Sequence, residues 1–327
     1  MEAAIDPDRW LQFIGSEYLD SFIKAGGASV KFAVPLDEFM RSEIELGLAQ
    51  RAQTSGYLTA HVSSADTRVH LIDQVFYRMA EQIPWRQLSE HVIISLAAEK
   101  GFAEPTPGSA ESLAGRLAES NMIDPDMVTM EARRWIGERV FRNQLMVKDF
   151  RVAMMQLCLA ALAGGSDGET TVEVITDWLT GRNKLVSAVK PYQIFTRISR
   201  TNARYLFESL LHWIRFAGLP GLVVTMDLSR LTVARNPRDE KLFYSRAQLL
   251  DAYEVLRQFV DLTDKLIGCF IVAMPAAGFL DVESSSPARG LGVYDALKFR
   301  VYDEVHDQRL VNPMGALIRL RTQGSAF

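Results

Sequence analysis

Apolar positions change period several times along the chain, and the changes divide it into an α/β part, a helical part and a second α/β part. Over 6–24, Trp10, Leu11, Ile14, Tyr18, Leu19, Phe22 and Ile23 share one broad face. That pattern predicts an amphipathic helix, with Asp6 as N-cap before Pro7 and Gly26-Gly27 as its end. Apolar runs at 29–34, 222–226 and 266–273 and an alternating stretch at 57–63 predict strands, and 316–321 predicts a last one. Runs without alternation suit a parallel sheet covered on both faces. Helices are expected over 36–53, 246–260 and 295–307.

Between Arg68 and Arg215 nearly everything reads helical: 69–82, 90–100, 109–119, a long stretch over 126–162, then 172–179 and 200–217. A Gly-rich polar stretch at 164–169 reads as a flexible linker. Strands on both sides make the block an insertion. The expected organisation is 1–67 as an N-terminal helix and the first part of an α/β core, 68–215 as a helical insertion, and 216–327 as the second part of the core.

The first α/β part places a phosphate-loop frame after its first strand. In G-x-x-x-x-G-K-[ST] the fixed positions fall on Pro35, Met40, Arg41 and Ser42, and the frame contains no glycine. A phosphate loop turns successive backbone N–H groups inward, which needs positive φ and no Cβ in the way. Side chains in such conformations cost about 1–3 kcal/mol each. Asp37 and Glu38 would also face an anion with like charge. A helix that starts directly fits this stretch better. Pro35 suits a first turn, Asp37 and Glu38 suit the positive helix end, and Leu36, Met40, Ile44 and Leu48 form a stripe at i+4 spacing. Arg41 keeps a cation where the lysine would sit, although the two are not interchangeable.

The run Gly221-Leu-Val-Val-Thr-Met-Asp227 has the form of a magnesium-coordinating strand with an acid at its carboxyl end. Leu228 follows, where a water-activating glutamate is expected, and leucine accepts no proton. Met274 stands at the tip of the next strand, where a polar sensor residue belongs. Three positions that should touch nucleotide have changed together, which points to a retired site.

Other chemistry is weaker. His61, His70, His91, His212 and His306 show no metal-ligand spacing with each other or with a cysteine. Gly164-Gly-Ser166-Asp-Gly168 satisfies G-x-S-x-G but lacks the preceding strand that a nucleophile elbow needs. Cys158 and Cys269, the two cysteines, lie in apolar stretches and read as buried free thiols. With no signal peptide and no 18-residue uncharged apolar run, a cytoplasmic location is expected.

The net charge of −4 argues against nucleic-acid binding by the whole surface, but charge is unevenly spread. Residues 126–215 carry 13 Lys+Arg against 9 Asp+Glu, leaving 23 against 31 elsewhere. Arg133, Arg134, Arg139, Arg142, Lys148 and Arg151 fall along the predicted long helix, and Arg197, Arg200 and Arg204 belong to a second cluster near Tyr192 and Phe195. A solvated helix surface explains them. So does a phosphate-backbone surface or an interface for an acidic partner.

Eight segments carry a family resemblance: A-G-G-A-S-V-K-F (25–32), G-Y-L-T-A-H-V-S (56–63), D-W-L-T-G (177–181), N-A-R-Y-L (202–206), G-L-P-G-L-V-V-T-M-D (218–227), A-Y-E-V-L-R-Q (252–258), R-G-L-G-V-Y-D-A-L (289–297) and N-P-M-G-A-L-I-R-L (312–320). In order and spacing they resemble the ATP-binding proteins of BREX-type phage-exclusion systems, a branch of AAA+-like P-loop ATPases. The resemblance implies an ASCE-type parallel sheet with ATP at the first strand's end, oligomeric assembly, and work beside a helicase or other DNA-acting defence components. Pro35, Met40, Arg41, Leu228 and Met274 depart from the active pattern, and no complete C-terminal lid is expected. The expectation is a catalytically inactive ATPase-like subunit without a cofactor, assembling with an active ATPase paralogue or a helicase. Asp227, Arg41 and Ser42 would be remnants of its site. Alternatives are an ATP- and magnesium-binding switch with an unconventional pocket, and a DNA-binding adaptor acting through the basic helices.

Overall fold

The computed structural model describes residues 4–105, 112–281, 288–302 and 312–321. The chain divides into two compact units, one formed by Met1–Met79 with Pro220–Phe327 and the other by Ala80–Leu219.

The first unit is built on a five-stranded, all-parallel sheet of order β2-β3-β4-β1-β5. Its strands are β1 (Ala28–Val34), β2 (Leu58–Ser63), β3 (Leu222–Asp227), β4 (Cys269–Met274) and β5 (Leu317–Arg319). The strand predicted over 266–273 is confined to Cys269–Met274, while Leu266 remains in the core outside it. β3 and β4 are buried almost throughout, as the unbroken apolar runs require of central parallel strands. Ile5 bridges Leu320 in parallel, so the start of the described chain pairs alongside β5.

Helices cover both faces. On one, α1 (Pro7–Phe13) and α2 (Glu38–Thr54) pack Trp10, Leu11, Met40, Ile44 and Leu48 against Val223, Phe270, Val272 and Met274. Asp6 caps α1 by accepting from the amides of Asp8 and Arg9 at 3.0 and 3.3 Å. On the other face Phe32 stacks on Phe279 at 5.5 Å, and Tyr253 of α11 (Arg246–Asp261) meets the same ring edge-on at 5.7 Å. Lys31, inside β1, is buried nonetheless: its ammonium donates to the carbonyls of Met314 and Gly315 and lies 4.7 Å from the Tyr18 ring centroid. The unit also holds α3 (Ile72–Ala80), which ends at the division, and α12 (Asp295–Val301). The helix expected over 295–307 ends at Val301, and residues 303–311 lie outside the described ones. Arg300 on α12 is held within the chain by Asp261 and the Ala296 carbonyl.

Two expectations in this unit need correction. The helix predicted over 6–24 keeps α geometry only to Phe13, and Ile14–Ile23 continues as a π-helix, a wider winding that apolar periodicity does not distinguish over so short a span. The helix expected over 36–53 begins at Glu38. Pro35 and Leu36 precede it, and Leu36 is exposed instead of belonging to the stripe. The buried stripe is Met40, Ile44, Leu48 and Ala52.

The second unit is helical: α4 (Trp85–Glu99), α5 (Leu113–Asn121), α6 (Pro125–Ile136), α7 (Lys148–Ala163), α8 (Gly165–Thr180), α9 (Val186–Val189) and α10 (Ala203–Phe216). Of the helix predicted over 109–119, residues 109–111 lie outside the described ones. The single helix expected over 126–162 is two, because α6 passes into a π turn at Gly137–Phe141 and the chain bends before Lys148. Leu145, Met146 and Val147 keep an apolar rhythm through the bend, while the Asn143 side chain and carbonyl accept from the amides of Leu145 and Met146. The stretch 164–169, expected as a linker, is the first turn of α8. Gly168 is buried there because a Cβ would lie 2.7 Å from the Ala160 carbonyl oxygen, so the glycine lets α7 and α8 pack closely.

Gly221 marks the tightest approach in the sheet. It has φ +150°, and a Cβ on it would lie 1.8 Å from the Gly268 carbonyl oxygen, the acceptor of the Leu222 amide at 2.8 Å. Gly221→Ala is therefore expected to destabilise the protein by roughly 3 kcal/mol or more, measured by urea denaturation, because backbone rather than a flexible side chain must move.

Candidate functional site

Register and helix spacing assemble one polar cluster in an otherwise apolar layer. β2 and β3 pair in parallel with His61 opposite Thr225 and Ser63 opposite Asp227. Residues two apart on a strand point the same way, so these four side chains line one face at the carboxyl ends of the two strands. Helix α2, which packs on β2 and β3, adds Arg41 and Glu45, four residues apart on its inner side.

Asp227 is the centre. Its Oδ2 accepts from the Ser63 hydroxyl at 3.0 Å and its Oδ1 from the Ser229 amide at 3.0 Å. The Arg41 Nε lies 3.4 Å from Oδ1, with only 10% of the arginine side chain and 16% of the aspartate side chain exposed. Both carboxylate oxygens are thus engaged by the protein's own donors. Arg41 Nε itself is buried without a hydrogen bond of good geometry, so the pair is held by charge more than by alignment.

Glu45 and His61 respond to the same charges. Burial, then repulsion from Asp227, raise the Glu45 carboxyl to about 7 against a smaller opposing pull from Arg41. Its Oε1 is buried without a hydrogen bond, 3.9 Å from His61 Nδ1. That nitrogen has a nearer partner in the Thr225 hydroxyl at 3.0 Å. Burial lowers the His61 pKa, against the attraction of Asp227 and Asp66. Near neutral pH the cluster therefore contains one fixed ion pair, a neutral imidazole and a carboxyl exchanging its proton. Its buried cation is already committed to an acid.

The remaining residues of the frame do not meet at Asp227. Pro35 and Met40 are buried, and Ser42 is exposed with its hydroxyl donating to the Glu38 carbonyl one turn back at 3.1 Å. The loop from β1 to α2 is only Pro35, Leu36 and Asp37. Asp37 is the helix N-cap, its carboxylate accepting from the Met40 amide at 2.8 Å. The end of α2, where an anion would bind, thus already carries a carboxylate of the chain itself. Leu228 and Met274 are fully buried, joined by a 3.0 Å hydrogen bond from the Leu228 amide to the Met274 carbonyl; Met274 belongs to the core cluster under α1 and α2. Among the described residues no group of three or more His, Cys, Asp or Glu side chains is placed to hold a metal ion. Both cysteines are buried free thiols whose pKa burial pushes up.

The basic residues of the second unit separate into two sets. Arg134 pairs with Glu131 at 3.3 Å and Glu138 at 3.9 Å, Arg139 with Glu99 at 2.6 Å, and Arg204 with Glu208 at 4.0 Å. Arg151 donates to the Asn143 carbonyl at 3.4 Å. Arg133, Arg142, Lys148, Arg197 and Arg200 are exposed and make no ion pair with a described residue. They are not aligned on one helix, since the chain bends between Arg142 and Lys148.

Comparison with known protein families, curated proteins and solved structures finds no match. No helix among the described residues is long and apolar enough to cross a membrane.

Two measurements test the cluster. Arg41→Met should destabilise the protein by about 3 kcal/mol by stranding a buried carboxylate, and Asp227→Asn in the same chain should restore much of that; additive losses in a denaturation cycle would contradict the pairing. Glu45 has a raised pKa, so the folded state holds its proton more tightly than the unfolded chain. Its stabilising contribution is complete below about pH 4.5 and fades as pH rises through about 7. With screening at its exposed edge allowed for, the protein should lose about 1–2 kcal/mol across that window. Glu45→Gln should flatten that dependence in urea melts.

Proposed function

We propose that this chain is a P-loop-derived scaffold without ATP turnover, acting as a structural subunit of a bacterial anti-phage complex beside an active ATPase paralogue or a helicase. The strand order supports the P-loop part of this reading: β4 separates β1, which leads into the frame, from the acid-tipped β3, as an ASCE-type sheet requires. The family resemblance of the eight sequence segments supports the assembly part.

One observation carries the loss of turnover. In working P-loop enzymes the lysine cradles the phosphates, while the loop hydroxyl and the strand-end aspartate hold magnesium. Here Ser42 turns into its own helix and Arg41 places its guanidinium against Asp227. A positive charge of the chain thus occupies the aspartate that would hold the metal. Leu228, buried beside it, supplies no base.

Calorimetry and thermal melting with magnesium-ATP test the reading. A micromolar site would stabilise the fold by about 3–4 kcal/mol at nucleotide concentrations of about 0.1–1 mM. The expected result is neither heat nor a melting shift. Micromolar binding that disappears in Asp227→Ala would replace the silent scaffold with an ATP-dependent switch.

A further inference from the structure

Residues 182–205 contain six basic side chains and no acidic one, in a chain whose net charge is −4. Part of this stretch, residues 193–202, has no regular secondary structure and runs as a strap between the turn at Lys190–Tyr192 and α10. The strap is anchored. Ile194 and Ile198 are buried, the Thr196 carbonyl accepts from the Trp178 indole at 3.0 Å, and the Thr196 amide donates to Asp149 at 3.0 Å. Its exposed side chains include Phe195, 53% exposed, Arg197 and Arg200.

Two further segments meet the strap at the start of α7. Asp149, which holds Thr196, lies in the first turn of that helix, and the preceding Val147 amide donates to Ser209 of α10 at 3.0 Å. Ser209 lies one turn beyond Tyr205, whose carbonyl its hydroxyl contacts at 2.7 Å. Tyr205 is 44% exposed, and the Arg204 guanidinium covers its ring at 4.7 Å. Lys148 is exposed at the first position of α7, and residues 142–148 again contain basic residues without an acid. Of the nearby carboxylates, Asp149 is spent on the strap and Glu208 pairs with Arg204 at 4.0 Å.

Exposed planar rings among exposed cations match a flexible polyanion with stackable bases. Each ring offers a face for a base, and a guanidinium on tyrosine widens that platform. Lys148, Arg197 and Arg200, which make no ion pair with a described residue, suit phosphates. An acidic protein would satisfy the charges but gives no reason for the rings to be exposed. A duplex hides its base faces and would likewise leave the rings unused. We propose that the strap, with the first turns of α7 and α10, binds single-stranded nucleic acid. This surface lies wholly in the second unit and does not depend on how the Asp227 cluster is read.

The test uses the full chain and fluorescence anisotropy with labelled oligothymidylate and oligouridylate of about 20 nucleotides, against a duplex of equal length. Single strands should bind more tightly than duplex, with affinity falling steeply between about 50 and 200 mM salt. Phe195→Ala and Tyr205→Ala should each weaken strand binding about tenfold, and Phe195→Trp should preserve it. Arg197→Glu with Arg200→Glu should weaken it by at least about tenfold and reduce the salt slope. Unchanged melting temperatures separate these effects from misfolding, which the exposure of the substituted side chains disfavours. A preference for deoxyribose or ribose strands would support the proposal and name the source. Tighter duplex binding, indifference to both aromatic substitutions, equal competition by polyglutamate, or no binding at all would each overturn it.

Discussion

A carboxylate at the tip of a buried strand must be neutralised or protonated, and in this chain Arg41 neutralises Asp227. The surrounding polar arrangement follows from that need. The Ser63 hydroxyl and the Ser229 amide fill the remaining acceptor positions. Glu45, close to the same negative charge and partly shielded from water, is driven toward its protonated form, and His61 remains neutral against Thr225. A five-stranded sheet covered on both faces leaves little water to share this work, so the helix that covers β2 and β3 has to bring the counter-charge with it.

Much of the architecture was legible in the sequence because central parallel strands demand unbroken apolar runs. Val223, Val224, Ile271 and Val272 could hardly sit elsewhere. The errors have equally physical origins. Leu145, Met146 and Val147 maintain a helical rhythm through a bend made by hydrogen bonds to Asn143, which periodicity does not register. Glycines at 164, 165 and 168 look like a linker, yet Gly168 serves the close packing of two helices. Pro35 and Asp37 both suit a helix start, and only the Asp37 side-chain bond to the Met40 amide decides between them.

The cluster was half visible. Arg41 and Asp227 could be named because the phosphate-loop frame and the acid-tipped strand mark them. Glu45, His61, Ser63 and Thr225 could not, since their meeting depends on the pairing of Ser63 with Asp227 and on which side of α2 faces the sheet. The spacings 41/45, 61/63 and 225/227 each carry the signal, but register alone joins them. In the second unit a count of basic residues does not show which of them are balanced within the chain. Arg134 and Arg139 are balanced by nearby glutamates, whereas Arg133, Arg142, Lys148, Arg197 and Arg200 face solvent.

The short passage from β1 into α2 leaves this joint little room to change. Between Val34 and Glu38 there are only Pro35, Leu36 and Asp37, and the helix is already wound when the frame reaches Arg41. Glycines placed here by point substitution would loosen the joint and leave α2 to begin without the Asp37 cap. Any insertion in this joint would turn α2 about its axis and carry Arg41 away from the acid it neutralises.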